Sequence, residues 1–178
     1  MKKQIRLAGT GGQGQILAGI ILAEAAVIHD GLYATQTQSY GPESRGGASK
    51  AEVIISDQPI DYPKVIAADF LLCMSQEAYD RYGTEVTEEG IIVVDSTLVR
   101  AAGTSDRLIA TPITQMARQN LGRAIVANVV GLGMLVGISS AVSEAAARKA
   151  VSHRVPPGTE KINLRAFDLG FSTASNRG

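Results

Sequence analysis

The sequence predicts an α/β fold, a three-layer α/β/α sandwich around a central sheet, and three observations carry that expectation. The segment Gln4–Ala8 alternates, enters a glycine cluster, and is followed by a helix-length apolar run from Gln15, which reads as strand, tight turn, helix. Asp69–Met74 (DFLLCM) and Ile91–Val94 (IIVV) are short, continuously apolar segments suited to strands buried on both faces. Helix signals alternate with these strands, the order that places helices on the faces of a sheet.

Taken in chain order, Gln15–His29 (QILAGIILAEAAVIH) is apolar nearly all round, with Gln15, Glu24 and His29 as its clearly polar positions. A helix of that kind needs cover on more than one side, from the sheet and from a second element or a partner subunit. Gly31 marks its end, and Leu32–Thr37 follows as a strand. Beyond the loop SYGPESRGG, Ala51–Ser56 resumes a strand. A connection of roughly ten residues permits antiparallel neighbours without requiring them, so a mixed sheet is allowed.

Ser75 is placed to cap a helix between the two apolar strands. Thr111-Pro112 sets a hydroxyl before a proline at the first helical position, and Gly122 stands where a C-terminal glycine belongs. Ile125–Ser139 contains Gly131, Gly133 and Gly137. Each costs about 1 kcal/mol relative to alanine in an exposed helix, so another backbone should come close to this segment in compensation. Glu144 and Arg148 are spaced as an i, i+4 pair, and Pro156-Pro157-Gly158 breaks the chain before a terminal segment with the wording DLGF. With no internal repeat and no low-complexity linker, residues 1–178 are expected to form a single domain.

Seventeen basic and seventeen acidic residues leave no net field to draw in nucleic acid or an anionic membrane surface. The single cysteine, Cys73, excludes an internal disulfide and any cysteine-built zinc or iron–sulfur site held by this chain alone, and it suits a reducing cytoplasm. No apolar run of signal-peptide length precedes the glycines, and the most apolar stretch, Ala124–Ile138, carries Asn128 in its interior. That stretch reads as a buried helix, being shorter than the roughly 20 residues a membrane span needs.

Two loops concentrate chemistry. Gly9-Thr10-Gly11-Gly12-Gln13-Gly14 satisfies G-x-G-x-x-G between a strand and a helix. Such a turn either aims backbone N–H groups at an anion, typically a phosphate, or merely lets strand and helix pack closely. The acidic residue that a dinucleotide site needs about 20 residues later is missing, because the next strand ends in Thr35-Gln36-Thr37-Gln38. In the second loop, Tyr40, Glu43, Ser44 and Arg45 lie among glycines. Arg45 can bind a carboxylate or phosphate in bidentate fashion, or can simply meet Glu43 and solvent. His29 and His153 lack companions at metal spacing, so no metal site is expected. Asp95-Ser96 ends a strand where ligands often bind, although capping the next turn explains it equally. Asn128 must find partners in an apolar helix, most simply on a neighbouring loop.

GTGGQG after the first strand, SYGPESRGG, SDQPIDYP, ADFLLCMS and the late ANVVGLGML together resemble the gamma subunit of 2-oxoacid:ferredoxin oxidoreductases, over most of the chain. The wording is most similar to the 2-oxoglutarate branch, with pyruvate and ketoisovalerate relatives close. The resemblance implies a subunit of an enzyme in which thiamine diphosphate attacks an oxo acid, carbon dioxide leaves, ferredoxin takes the electrons and coenzyme A takes the acyl group. It implies that thiamine diphosphate, its magnesium and the iron–sulfur clusters belong to alpha, beta and delta-type partner subunits, and that this chain alone binds no cofactor and supplies no catalytic residue. Gly11, Gly12, Gln13 and Gly14 would then line a shared cleft with Tyr40, Glu43, Ser44 and Arg45. There Arg45 would meet a phosphate of coenzyme A or a substrate carboxylate, and Gln13 a partner loop. Two other readings compete: a free-standing nucleotide-binding oxidoreductase, resting on the glycine turn, and a purely structural scaffold subunit. An isolated chain could also pair its exposed apolar faces as a homodimer.

Overall fold

The computed structural model describes residues 1–41, 47–103 and 105–176. Its strands are β1 (Lys2–Thr10), β2 (Tyr33–Ser39), β3 (Ala48–Ser56), β4 (Ala68–Cys73), β5 (Val86–Asp95) and β6 (Leu108–Thr111). The helices are α1 (Gln15–Glu24), α2 (Gln76–Tyr82), α3 (Ile113–Leu121), α4 (Ala127–Ser139), α5 (Glu144–Arg154) and α6 (Glu160–Ser175). A π-helical turn, Ala25–His29, extends α1, and a 3-10 turn, Ala124–Val126, precedes α4.

The strands form one mixed sheet in the order β2-β3-β1-β4-β5-β6. β3 is antiparallel to both β1 and β2, whereas β1, β4, β5 and β6 pair in parallel. Period-two alternation sorts β1 cleanly: Ile5 and Leu7 enter the core under α1 and α4, and Ala8 enters the core on the opposite face with Ala78 and Tyr82 of α2. Helices therefore cover both faces, giving the three layers expected. On the α1 face, α5 and α6 pack behind the first helices, which supplies the second cover that the all-round apolar α1 needs.

Arg6 is the one charge that β1 drives inward among these positions, and it is 1% exposed. Its Nε donates to Glu52 at 2.8 Å, its Nη1 to Glu85 at 2.7 Å, and its guanidinium lies 5.1 Å from the centre of the Tyr82 ring. Burial of the cation is thereby offset by partners from β3, from the turn before β5 and from α2.

The glycines of α4 find the close neighbour their cost demands. A Cβ on Gly133 would overlap the Phe167 carbonyl oxygen, and one on Gly170 would overlap the Val130 carbonyl oxygen. The approach is thus backbone to backbone between α4 and α6, inside this chain.

Several local expectations shift. β5 begins at Val86, well before IIVV, and the four-residue edge strand β6 carried no usable pattern. The cap position of α3 is Pro112, and the first turn is held by the Asp95 carboxylate, which accepts from the Thr114 N–H at 3.2 Å. Thr111 is the last residue of β6 instead. Arg148 forms its salt bridge with Asp168 of α6, which packs against α5, while the charge of Glu144 adds to the stabilisation of its guanidinium. Ser75 does cap α2, accepting from Ala78 N–H at 3.2 Å.

Candidate functional site

Because β3 is the strand reversed against the rest, the carboxyl ends of β1, β2, β4, β5 and β6 and the start of β3 share one edge. The chain leaves β1 through α1 toward β2 and β3, whereas β4 lies on the other side of β1. That reversal opens a crevice outside the strand ends, where α/β sheets bind ligands. The glycine turn stands at its lip.

The turn is locked from below by its own glutamine. Gln13 Oε1 accepts from the Thr10 N–H at 2.6 Å, Gln13 Nε2 donates to the Met74 carbonyl at 2.9 Å, and the Gln13 N–H closes the turn on the Thr10 carbonyl at 3.1 Å. The Gln13 side chain, expected to reach a partner loop, is therefore engaged within its own chain, on Thr10 and on Met74 just past β4. Gly14 is the cap of α1 with φ +78°, a left-handed conformation that only glycine holds at little cost, and no side chain caps the helix there. Gly11 and Gly12 are exposed, with open space where a Cβ would stand. Their backbone and the uncapped start of α1 face outward.

From the other wall, Asn128 in the first turn of α4 donates through Nδ2 to the Gly14 carbonyl at 3.1 Å, the loop bond expected of it. Two adjoining pockets of about 280 Å³ each meet at Gly12, Gln13, Ile125 and Asn128. One extends toward Val155, Pro156 and Ile162, and the other toward Leu98, Thr114 and Arg118. Arg118 and Arg123 are exposed at the rim, and Ile125 is 80% exposed. This wall was not anticipated. The signal that could have found it is the sequence GRAI after α3, in which Gly122 turns the chain at φ +72° and presents an arginine and an isoleucine at the strand-end edge.

The second loop leaves β2 at the same edge, where Ser39 lies opposite Lys50 of β3 and Thr10 lies opposite Ala48. Tyr40 is exposed there, and Glu43, Ser44 and Arg45 lie outside the described residues. With β3 between them, β1 and β2 are two strand spacings apart, about 10 Å. The same spacing removes the ground for a free-standing nucleotide-binding reading. A dinucleotide fold needs the strand after the glycine helix beside the first and parallel to it, with a carboxylate at its end. Here β3 intervenes, and β2 ends in Thr37-Gln38-Ser39.

The remaining candidates resolve as structure. Asp95 is fully buried and spends its oxygens on the Thr97 and Thr114 N–H groups and the Thr114 hydroxyl, which is the capping alternative. Cys73 is buried in β4, and burial pushes its thiol up to about 12. His153 meets Glu24 at 2.5 Å. Among the described residues no group of three or more His, Cys, Asp or Glu is placed to hold a metal ion, and no helix is long and apolar enough to cross a membrane.

Comparison with known proteins agrees with this architecture. The chain is 49% identical to the 2-oxoglutarate synthase subunit KorC of Methanocaldococcus jannaschii, over 98% of this chain and 95% of that one. The crystal structure of the gamma subunit of a keto/oxoacid ferredoxin oxidoreductase from Geobacter sulfurreducens superposes with a TM-score of 0.88 at 48% identity, covering 98% of this chain and 97% of that one. The 2-oxoglutarate:ferredoxin oxidoreductase of Magnetococcus marinus shares the fold at a TM-score of 0.85 and 24% identity, with this chain matching 31% of that one. Residues 4–173 match the profile of a single family, so the chain belongs to the pyruvate ferredoxin/flavodoxin oxidoreductase family.

Proposed function

We propose that this chain is the gamma subunit of a 2-oxoglutarate:ferredoxin oxidoreductase of the cytoplasm, and that residues 1–178 act there as one domain. The observation that carries this reading is near-full-length identity of 49% and 48% to a 2-oxoglutarate synthase subunit and to an oxoacid oxidoreductase gamma subunit. In this role the carboxyl edge of the sheet completes a cleft whose reactive groups belong to neighbouring subunits.

The residues available here do not suit the cofactors of the family. An iron–sulfur cluster needs several thiolates, and this chain has one, buried at the end of β4. Magnesium-bound thiamine diphosphate needs oxygen ligands for its metal, and no three His, Cys, Asp or Glu of the described residues come together to hold one. Both are assigned to the alpha and beta subunits, with a delta-type subunit where one is present, and those subunits pass electrons to ferredoxin.

What this chain supplies is recognition. The M. marinus enzyme was solved with 2-oxoglutarate, coenzyme A and succinyl-CoA bound, and anionic ligands of that kind are the ones we assign to the cleft. The exposed backbone of Gly11 and Gly12 and the uncapped start of α1 favour a phosphate or carboxylate approaching the edge. Tyr40 is exposed just past the end of β2, and to it and to Glu43, Ser44 and Arg45 after it in the sequence we assign the recognition of the ligand, with Arg45 as the charged anchor to coenzyme A or to the oxo acid. Arg45→Ala in the complex reconstituted with its partner subunits should raise the Michaelis constant of one of these two substrates about tenfold or more, the worth of a charge-assisted hydrogen bond. Unchanged kinetics with intact assembly would reduce the chain to a scaffold.

A further inference from the structure

We infer that Asn128 is a positioning residue of the cleft, fixing from α4 the direction in which the glycine turn presents its backbone. The inference rests on the reading of the cleft proposed above.

The geometry singles out this side chain. Asn128 is 6% exposed in a helix whose other buried positions are apolar or small, apart from Ser139 at its end. Its amide donates to the Gly14 carbonyl, yet that carbonyl already accepts the Ala18 N–H at 3.1 Å. Completing α1 therefore does not require Asn128, and the second bond restrains the peptide that joins the turn to the helix. The contact is also steric: a Cβ on Gly14 would run into the Asn128 carboxamide. Glycine at 14 and the amide at 128 are a matched pair lying face to face.

The clamp has a firm base. α4 is fixed to α6 by the backbone contacts at Gly133 and Gly170, so its first turn cannot shift independently. Gln13 ties the front of the turn to Met74, at the end of β4, and Asn128 ties its back to α4. Gly11 and Gly12 precede these two clamped residues, flanked by Thr10 and Gln13, and are the exposed positions of the turn. Orientation of the turn that carries them thus depends in part on an amide whose bond is to the turn's own backbone.

The test uses the assembled complex carrying Asn128→Asp, which keeps the shape and replaces the donor with an acceptor facing the Gly14 carbonyl. Asn128→Ala removes the bond without adding charge, Asn128→Gln retains an amide donor, and Arg45→Ala runs in parallel. Both the aspartate and alanine variants should raise, about fivefold, the same Michaelis constant that Arg45→Ala raises, with kcat within twofold and the melting temperature of the complex nearly unchanged. The glutamine variant should recover part of the loss. A purely structural residue would instead lower kcat and melting temperature together and leave the Michaelis constants alone, and that pattern overturns the inference. If Arg45→Ala shifts a Michaelis constant and neither Asn128 variant does, positioning fails while the cleft stands. If none of the variants shifts one, the cleft reading fails and takes the inference with it.

Discussion

Glu24 closes the last turn of α1 with a side chain only 5% exposed, held between His153 at 2.5 Å and Arg154 of α5. Burial alone would push its carboxyl up, but the hydrogen bonds and charges of those two partners outweigh that penalty and hold it below its ordinary value of 4.5. A depressed carboxylate contributes stability that is complete above the unfolded-state value and is lost as pH falls through the folded-state value. Glu24→Gln should therefore lower the unfolding free energy at pH 7 by about 1–3 kcal/mol and flatten the acid limb below about pH 4.5. Urea titrations of the isolated chain between pH 3 and 7 would check both. An unchanged acid limb would show that the α1–α5 ion cluster does not contribute.

The pairing of α4 with α6 is the tightest helix contact in the fold, since Gly170 faces the Val130 carbonyl and Gly133 faces that of Phe167. Gly170→Ala has no flexible side chain to displace and must force the backbones apart. Overpacking of this kind should cost about 3 kcal/mol, lowering the melting temperature by roughly 6–12 °C for a chain of this size. A loss under 1 °C would mean that the helices can separate freely. Three glycines within the α4 stretch announced this approach in the sequence, and the strand–turn–helix of β1 and α1 was legible for a similar reason: each is a local pattern of residue types. The misses share a cause as well. Asp95 caps α3 from nineteen residues away, Arg148 finds Asp168 on another helix, and β6 is a four-residue strand at an edge, none of which leaves a periodic trace. At the site, the glycine turn was readable, whereas the Arg123–Asn128 wall exists only once α4 has folded back over β4.

Across the sheet, restraint is graded from centre to margin. β1 is paired on both sides, and its residues from Ile5 to Gly9 are buried, as are Leu71, Leu72 and Cys73 of β4. β2 has one neighbour, no buried residue, and a half-exposed Tyr33 beside the exposed Val27 and Ile28. Amide hydrogen exchange on the isolated chain should leave residues 5–9 and 71–73 protected longest, with residues 33–39 exchanging well before them. Protection of residues 33–39 equal to that of β1 would instead show the edge to be covered, as a homodimer through β2 would cover it.

The sequestered Cys73 has a practical corollary for following assembly. A thiol pushed up to about 12 by burial is neither ionised nor reachable at neutral pH, so alkylating reagents should pass over the native protein. Any cysteine introduced at an exposed site such as Tyr40 then becomes a unique attachment point for a fluorophore or spin label. Any change of environment at that edge on joining the other subunits would become directly visible, with no background from the protein's own sulfhydryl.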